Sequence, residues 1–183
     1  MKSVALRRFE SFLNTPDLPS PGPDPRGTRR ALSELNRDLD AAFRETTLSQ
    51  VNQSLIRSLV LLWHDHLDAS HTLSQEIHTS SGSYLHGMMH RREPDYWNAK
   101  YWFNRVGQHG AYPVIAGRVK VLLKLRQQEE LTGELLPGGR WSPHAFVDLC
   151  ERTAGSGQLD ETLRQIQQIE FQVLLEQFCE GAE

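Results

Sequence analysis

His86 and His90 stand four residues apart in a stretch, residues 83–112, that reads SYLHGMMHRREPDYWNAKYWFNRVGQHGAY. On a helix that spacing puts both imidazoles on one face, one turn apart. Glu93 adds a carboxylate at the following turn. Upstream, His64, Asp68 and His71 repeat the i, i+4, i+7 pattern. Histidines and carboxylates presented by two neighbouring helices are how helical bundles build metal sites. Nitrogen and oxygen donors without sulfur suit zinc, iron, manganese or nickel. The candidate cofactor is therefore a divalent metal, and its candidate ligands are His71, His86, His90, Asp68 and Glu93. The order His-Glu-x-x-His of zinc proteases is absent. The plainer reading of such a histidine pair is a solvated helix face, or a core histidine bonded to a carboxylate.

The same stretch concentrates other functional groups. It holds Tyr84, Tyr96, Trp97, Tyr101, Trp102 and Tyr112, so that among the tryptophans and tyrosines only Trp63 and Trp141 fall outside it. Aromatic faces mixed with ionisable groups are the usual lining of small-molecule sites. Arg91 and Arg92 could grip an anionic ligand bidentately. With Glu93 and Asp95 so near in sequence, internal ion pairing across the junction at Pro94 is the more economical expectation. Trp97 and Tyr101 share a helix face and Trp102 lies beside Tyr101; one set is expected in the core and the other along a pocket or partner groove. Asn98 faces outward or toward the site. The candidate ligand-binding residues are thus His86, His90, Arg91, Arg92, Glu93 and Asp95, together with Asn98, Tyr101 and Trp102.

The elements that must position these groups read as helices. Residues 2–13 form a short amphipathic helix. Pro16, Pro19, Pro21, Pro23 and Pro25 follow within ten positions, a density that excludes helix and central strand and predicts an extended polyproline-type arm. Thr28 caps the next helix, along which Leu32, Leu35, Leu39, Ala42 and Phe43 recur at helical spacing. Residues 48–78 contain no glycine or proline and predict one long helix, or two broken near Asp65–Asp68, ended by the Thr-Ser-Ser-Gly of residues 79–82. Further helices are predicted over 83–92, from Pro94 to Val106, from Pro113 to about Glu130, after Ser142-Pro143, and over 160–178. No segment reads as a strand. The expectation is an all-α fold of stacked antiparallel helical hairpins, about six to eight helices, with residues 1–27 as N-terminal helix and proline-rich arm and residues 28–183 as one helical domain.

Composition narrows the class. A chain of 183 residues with 38% hydrophobic and 23% charged content is long enough to bury a substantial core. A net charge of -3 argues against a general nucleic-acid binder. No apolar run approaches the roughly 20 residues needed to span a bilayer. The opening MKSVALRRFESFLN carries charges where a secretory leader needs its apolar centre. Cys150 and Cys179 are expected to be reduced, buried thiols. A cytoplasmic protein with no membrane and no nucleic-acid partner is expected. There is no Walker or Gly-x-Gly-x-x-Gly loop and no Gly-x-Ser-x-Gly elbow.

Shifting the chain by 30 residues lays DHLDASHTL (65–73) on DYWNAKYWF (95–103). Ala69 meets Ala99 and Leu73 meets Phe103, which resembles the helix pairs of tetratricopeptide-like proteins. More extensively, HGMMHRREPDYWNAKYWFNRVG (86–107), preceded by LLWHDHLDASHTLSQEI (61–77) and followed by WSPHAFVDLCERT (141–153) and IEFQVLLEQF (169–178), resembles the motifs of a family of uncharacterised helical proteins, a domain of unknown function. The family's His-Pro after the central helix stands here as His109-Gly110. The resemblance implies a helical fold with residues 86–104 as its hallmark and no particular activity.

Three functional readings follow. The first is a helical module whose pocket, centred on residues 84–104, binds a small molecule or a partner peptide. The second is a metal-dependent hydrolase or oxidase using His86 and His90, with a bound water as nucleophile. The third is a scaffold with a polar core.

Overall fold

Side-chain capping explains where half of the helices begin. The computed structural model describes residues 3–180, and among them ten α-helices follow one another with no strand: α1 Val4–Leu13, α2 Leu32–Arg44, α3 Gln50–Trp63, α4 Leu67–Ser74, α5 Ser80–Arg92, α6 Tyr96–Val106, α7 Ala111–Leu125, α8 Thr132–Leu135, α9 Pro143–Thr153 and α10 Asp160–Phe178. The side chains of Ser3, Ser49, Thr79, Asp95 and Ser142 each accept a first-turn backbone N–H and set the starts of α1, α3, α5, α6 and α9. The start expected at residue 2 lies outside the described residues.

The fold is all-α as the sequence predicts, and the helix count exceeds the expected six to eight. The 48–78 segment divides because Asp65 takes a left-handed φ of 64° between α3 and α4. The one-turn α8 adds another. The Thr-Ser-Ser-Gly run, expected to stop a helix, starts α5 instead. Thr79 accepts from the Gly82 N–H, and Gly82 sits so close to the preceding chain that a Cβ would lie 2.0 Å from the Ile77 carbonyl oxygen. Thr28 caps nothing; its hydroxyl bonds Asp17, and α2 begins after Ala31 without a side-chain cap.

The proline-rich segment is not an extended arm. Residues 14–31 form bends and one turn laid against the helices. Prolines lack N–H donors, so this segment offers carbonyls, and helix side chains supply the donors. Arg164 donates to the Leu18 carbonyl, and Gln167 donates to the carbonyls of Pro19 and Ser20. Arg26 donates its backbone N–H and Nε to the Asp65 carboxylate, at 3.0 and 2.8 Å.

The packing that positions the site centres on α5. It lies most extensively against α6 and also meets α3 and α4. Gly87 permits the α5–α6 approach: a Cβ there would stand 3.1 Å from three Phe103 ring carbons. On the far side α10 packs against α7, α3 and α1, with Trp63 edge-on to Phe171 at 5.1 Å. Cys150 and Cys179 are free and buried, and burial pushes both thiols up to about 12. No helix among the described residues is long and apolar enough to cross a membrane.

Candidate metal centre

An i, i+4 histidine pair becomes a site only if a third group is brought to it. The α4–α5 contact does this. His71 from α4 and His86 and His90 from α5 each offer a ring nitrogen, and these nitrogens lie within 4.8 Å of one another. The His71 ring stands edge-on to His86 at 4.7 Å and to His90 at 5.3 Å. His86 and His90 are buried and His71 half-buried. Four-coordinate zinc with Zn–N near 2.0–2.1 Å needs nitrogens about 3.3 Å apart. The His86 and His90 Nε2 atoms are 3.0 Å apart, and all three ring nitrogens lie within 4.8 Å of one another.

Second contacts orient these histidines. The His90 Nδ1–H donates to Glu93 Oε2 at 3.1 Å. That leaves the His90 Nε2 lone pair facing His86 Nε2, with the Asn98 amide nitrogen 3.1 Å away. A carboxylate behind a histidine fixes its tautomer and raises its basicity as a ligand. Trp102 lies flat on His86, with centroids 3.9 Å apart and planes 14° apart, and pins that ring. His86 Nδ1 is buried without a hydrogen-bond partner.

The electrostatics keep the pair neutral. Burial, reinforced by the neighbouring His90 and His71, lowers His86 to about 3. Burial also lowers His90, against the opposing pull of Glu93. Neutral imidazole is the form that binds a metal.

The other candidates fall outside this cluster. Asp68 is exposed on α4 and is not among the converging donors. His64 lies apart, with its Nε2 bonded to the Phe12 carbonyl at 2.9 Å. Glu93 contacts His90 rather than joining the three ligand atoms. Asp95 caps α6 and approaches His90 Nδ1 only to 4.0 Å. Tyr101 is 44% exposed and meets Trp102 edge-on at 5.6 Å.

Arg91 and Arg92 are internal ion-pair partners, fully buried. Their carboxylates are not the sequence neighbours Glu93 and Asp95. Arg91 bonds Glu170 at 2.7 Å and lies over the Phe146 ring at 4.4 Å. Glu170 also accepts from the Tyr84 hydroxyl, which in turn accepts from Trp141 Nε1. Arg92 bonds Asp65 at 2.7 Å, so Asp65 joins α5 to the proline-rich segment through Arg26. Burial pushes the Asp65 carboxyl up, but its hydrogen bonds from Arg26 and the nearby Arg92 charge outweigh this and hold it below its ordinary value. Both guanidiniums are sealed from solvent, so neither presents an anion site at the surface.

The arginine that does stand beside the site's aromatic rings is Arg105, which sequence reasoning passed over. Its guanidinium carbon lies 5.2 Å from the Trp102 ring centre and 5.9 Å from that of Tyr101. The signal was present in the spacing: Asn98, Trp102 and Arg105 stand at i, i+4 and i+7 on α6.

No family model, no curated protein and no solved structure matches this chain.

Proposed function

We propose that this is a metal-binding helical protein whose centre holds one divalent ion through His71, His86 and His90. Glu93 orients His90, and Trp102 orients His86. The observation that carries the reading is the convergence of three ring nitrogens from two helices within 4.8 Å. Three histidine donors are the ligand set of catalytic zinc sites that keep a further position for water or substrate. A metal in such a site supplies a water activated near neutral pH, so the activity class that fits is metal-assisted hydrolysis. Glu93, at the surface beside His90, is the carboxylate placed to exchange a proton with solvent.

The test is elemental analysis by mass spectrometry of protein purified without a His tag, beside His71→Ala and the His86→Ala/His90→Ala double variant. Near-stoichiometric metal in the wild type and its loss in both variants is the expected result. Absence of metal in the wild type after reloading with zinc, manganese and iron overturns the reading.

A further inference from the structure

We infer that Asn98 restrains metal loading at the histidine cluster. Its carboxamide N–H and a metal ion claim the same lone pair, that of His90 Nε2. This rests on the reading of the cluster as a metal site and deepens it, because it names the residue that sets the affinity.

The competition follows from which nitrogen of His90 can accept. Glu93 accepts the Nδ1–H at 3.1 Å, so the ring's one lone pair is on Nε2. Asn98 Nδ2 lies 3.1 Å from Nε2 and 3.5 Å from Nδ1, so the amide hydrogen bond goes to Nε2. A carboxamide nitrogen carries two N–H donors and is not itself an acceptor. A bond from imidazole to zinc is about 2.0–2.1 Å long, and it uses the lone pair that the Asn98 hydrogen occupies. One lone pair cannot serve both. His86 Nε2 also faces His90 Nε2, at 3.0 Å, but an imidazole stays as a fellow ligand when the ion binds. Asn98 is the neighbour that has to withdraw.

The fold places Asn98 for this role. It comes from α6, whereas the three converging histidines stand on α4 and α5. Its backbone N–H donates to Asp95 Oδ1 at 3.2 Å in the first turn of α6, and its neighbour Ala99 is fully buried. The packing of α5 on α6 therefore holds the carboxamide against His90. Asn98 itself is half-buried, so water can take its N–H once it withdraws. A hydrogen bond exchanged for water in this way lowers affinity without abolishing it.

The experiment is a zinc titration of the full chain, by competition with a chromogenic chelator, on wild type, Asn98→Leu and Asn98→Ala. The leucine keeps most of the side-chain volume and removes the donor. Both variants are expected to bind zinc about three- to tenfold more tightly, the worth of one neutral hydrogen bond that no longer has to be broken. The thermal midpoint of each metal-free variant is expected to stay level or fall, since the bond it lacks belongs to the metal-free protein. Tighter zinc with no gain in midpoint is a pattern that a merely structural residue does not give, because its loss lowers both together. Weaker zinc in the variants, as a structural or ligating Asn98 would produce, overturns the inference and leaves the metal site standing. Unchanged affinity does the same. Failure of all three proteins to bind zinc overturns both conclusions.

Discussion

Glu93 accepts the Nδ1–H of His90 at 3.1 Å, and this one bond decides what the other nitrogen of that ring can do. With the proton held on Nδ1, Nε2 is a lone pair aimed at His86. Second contacts of this kind change metal affinity by roughly 10–100-fold. Glu93→Gln is therefore expected to weaken metal binding by about that factor, measured by competition with a chromogenic chelator. Glu93 is exposed, so its thermal midpoint should stay that of the wild type. Unaltered affinity in Glu93→Gln would remove Glu93 from the centre.

The α5–α6 contact that brings Trp102 and Asn98 to the histidines rests on Gly87. Gly87→Ala drives a methyl against the Phe103 ring and is expected to destabilise the fold by about 1–3 kcal/mol, as overpacking does. Urea denaturation of the metal-free protein measures this. A double variant that also trims Phe103 to Leu should recover part of the loss; no recovery would show that the Gly87–Phe103 contact is not the source.

Arg91 and Glu170 are both fully buried. Removing one partner leaves an unpaired buried charge, so Glu170→Leu should cost about 3–5 kcal/mol. The Arg91→Met/Glu170→Leu double variant should cost less than Glu170→Leu alone, because no charge is then stranded. Denaturation midpoints of the four proteins in the cycle settle this. A double variant destabilised as much as Glu170→Leu alone, or more, contradicts it.

Acid should destabilise the metal-free protein before its carboxylates titrate. Burial lowers His64 to about 4, while its carbonyl bond to Phe12 pulls the other way, and His86 is lowered to about 3. Both folded values lie below the ordinary histidine value of about 6.5, so the unfolded chain binds more protons in this window. The stabilisation is complete above about pH 6.5 and is lost as pH falls toward 4 for His64 and 3 for His86. A drop of order 1–2 kcal/mol per histidine is expected between pH 7 and pH 5. Chemical denaturation at the two pH values checks it, with His64→Gln losing part of the pH dependence. A stability that does not change over this range refutes the assignment.

Much of the molecule was legible along the chain because helices are local objects. Capping and periodicity place the final two helices: Ser142 caps α9, and α10 occupies Asp160–Phe178 as its apolar spacing implies. The same locality sets His86 and His90 on one face, and it excludes helix across the five prolines. A turn of helix carries its own hydrogen bonds, so residues three or four apart suffice to specify it.

Pairing between helices is not written at that range. Arg91 finds Glu170, 79 residues away, and Arg92 finds Asp65, 27 residues away, instead of the acids beside them. His71 reaches the centre while Asp68, one turn earlier on the same helix, stays in solvent. The packing of α4 against α5 makes that choice. The proline-rich segment lies on the body because α10 and Asp65 offer donors and charge to it, partners distant in sequence. By itself, the sequence determined the helices and the faces their residues share. Which faces meet, and therefore which three nitrogens converge and which arginines are sealed inside, was decided by tertiary packing, where burying charge demands a partner from whichever helix lies nearest.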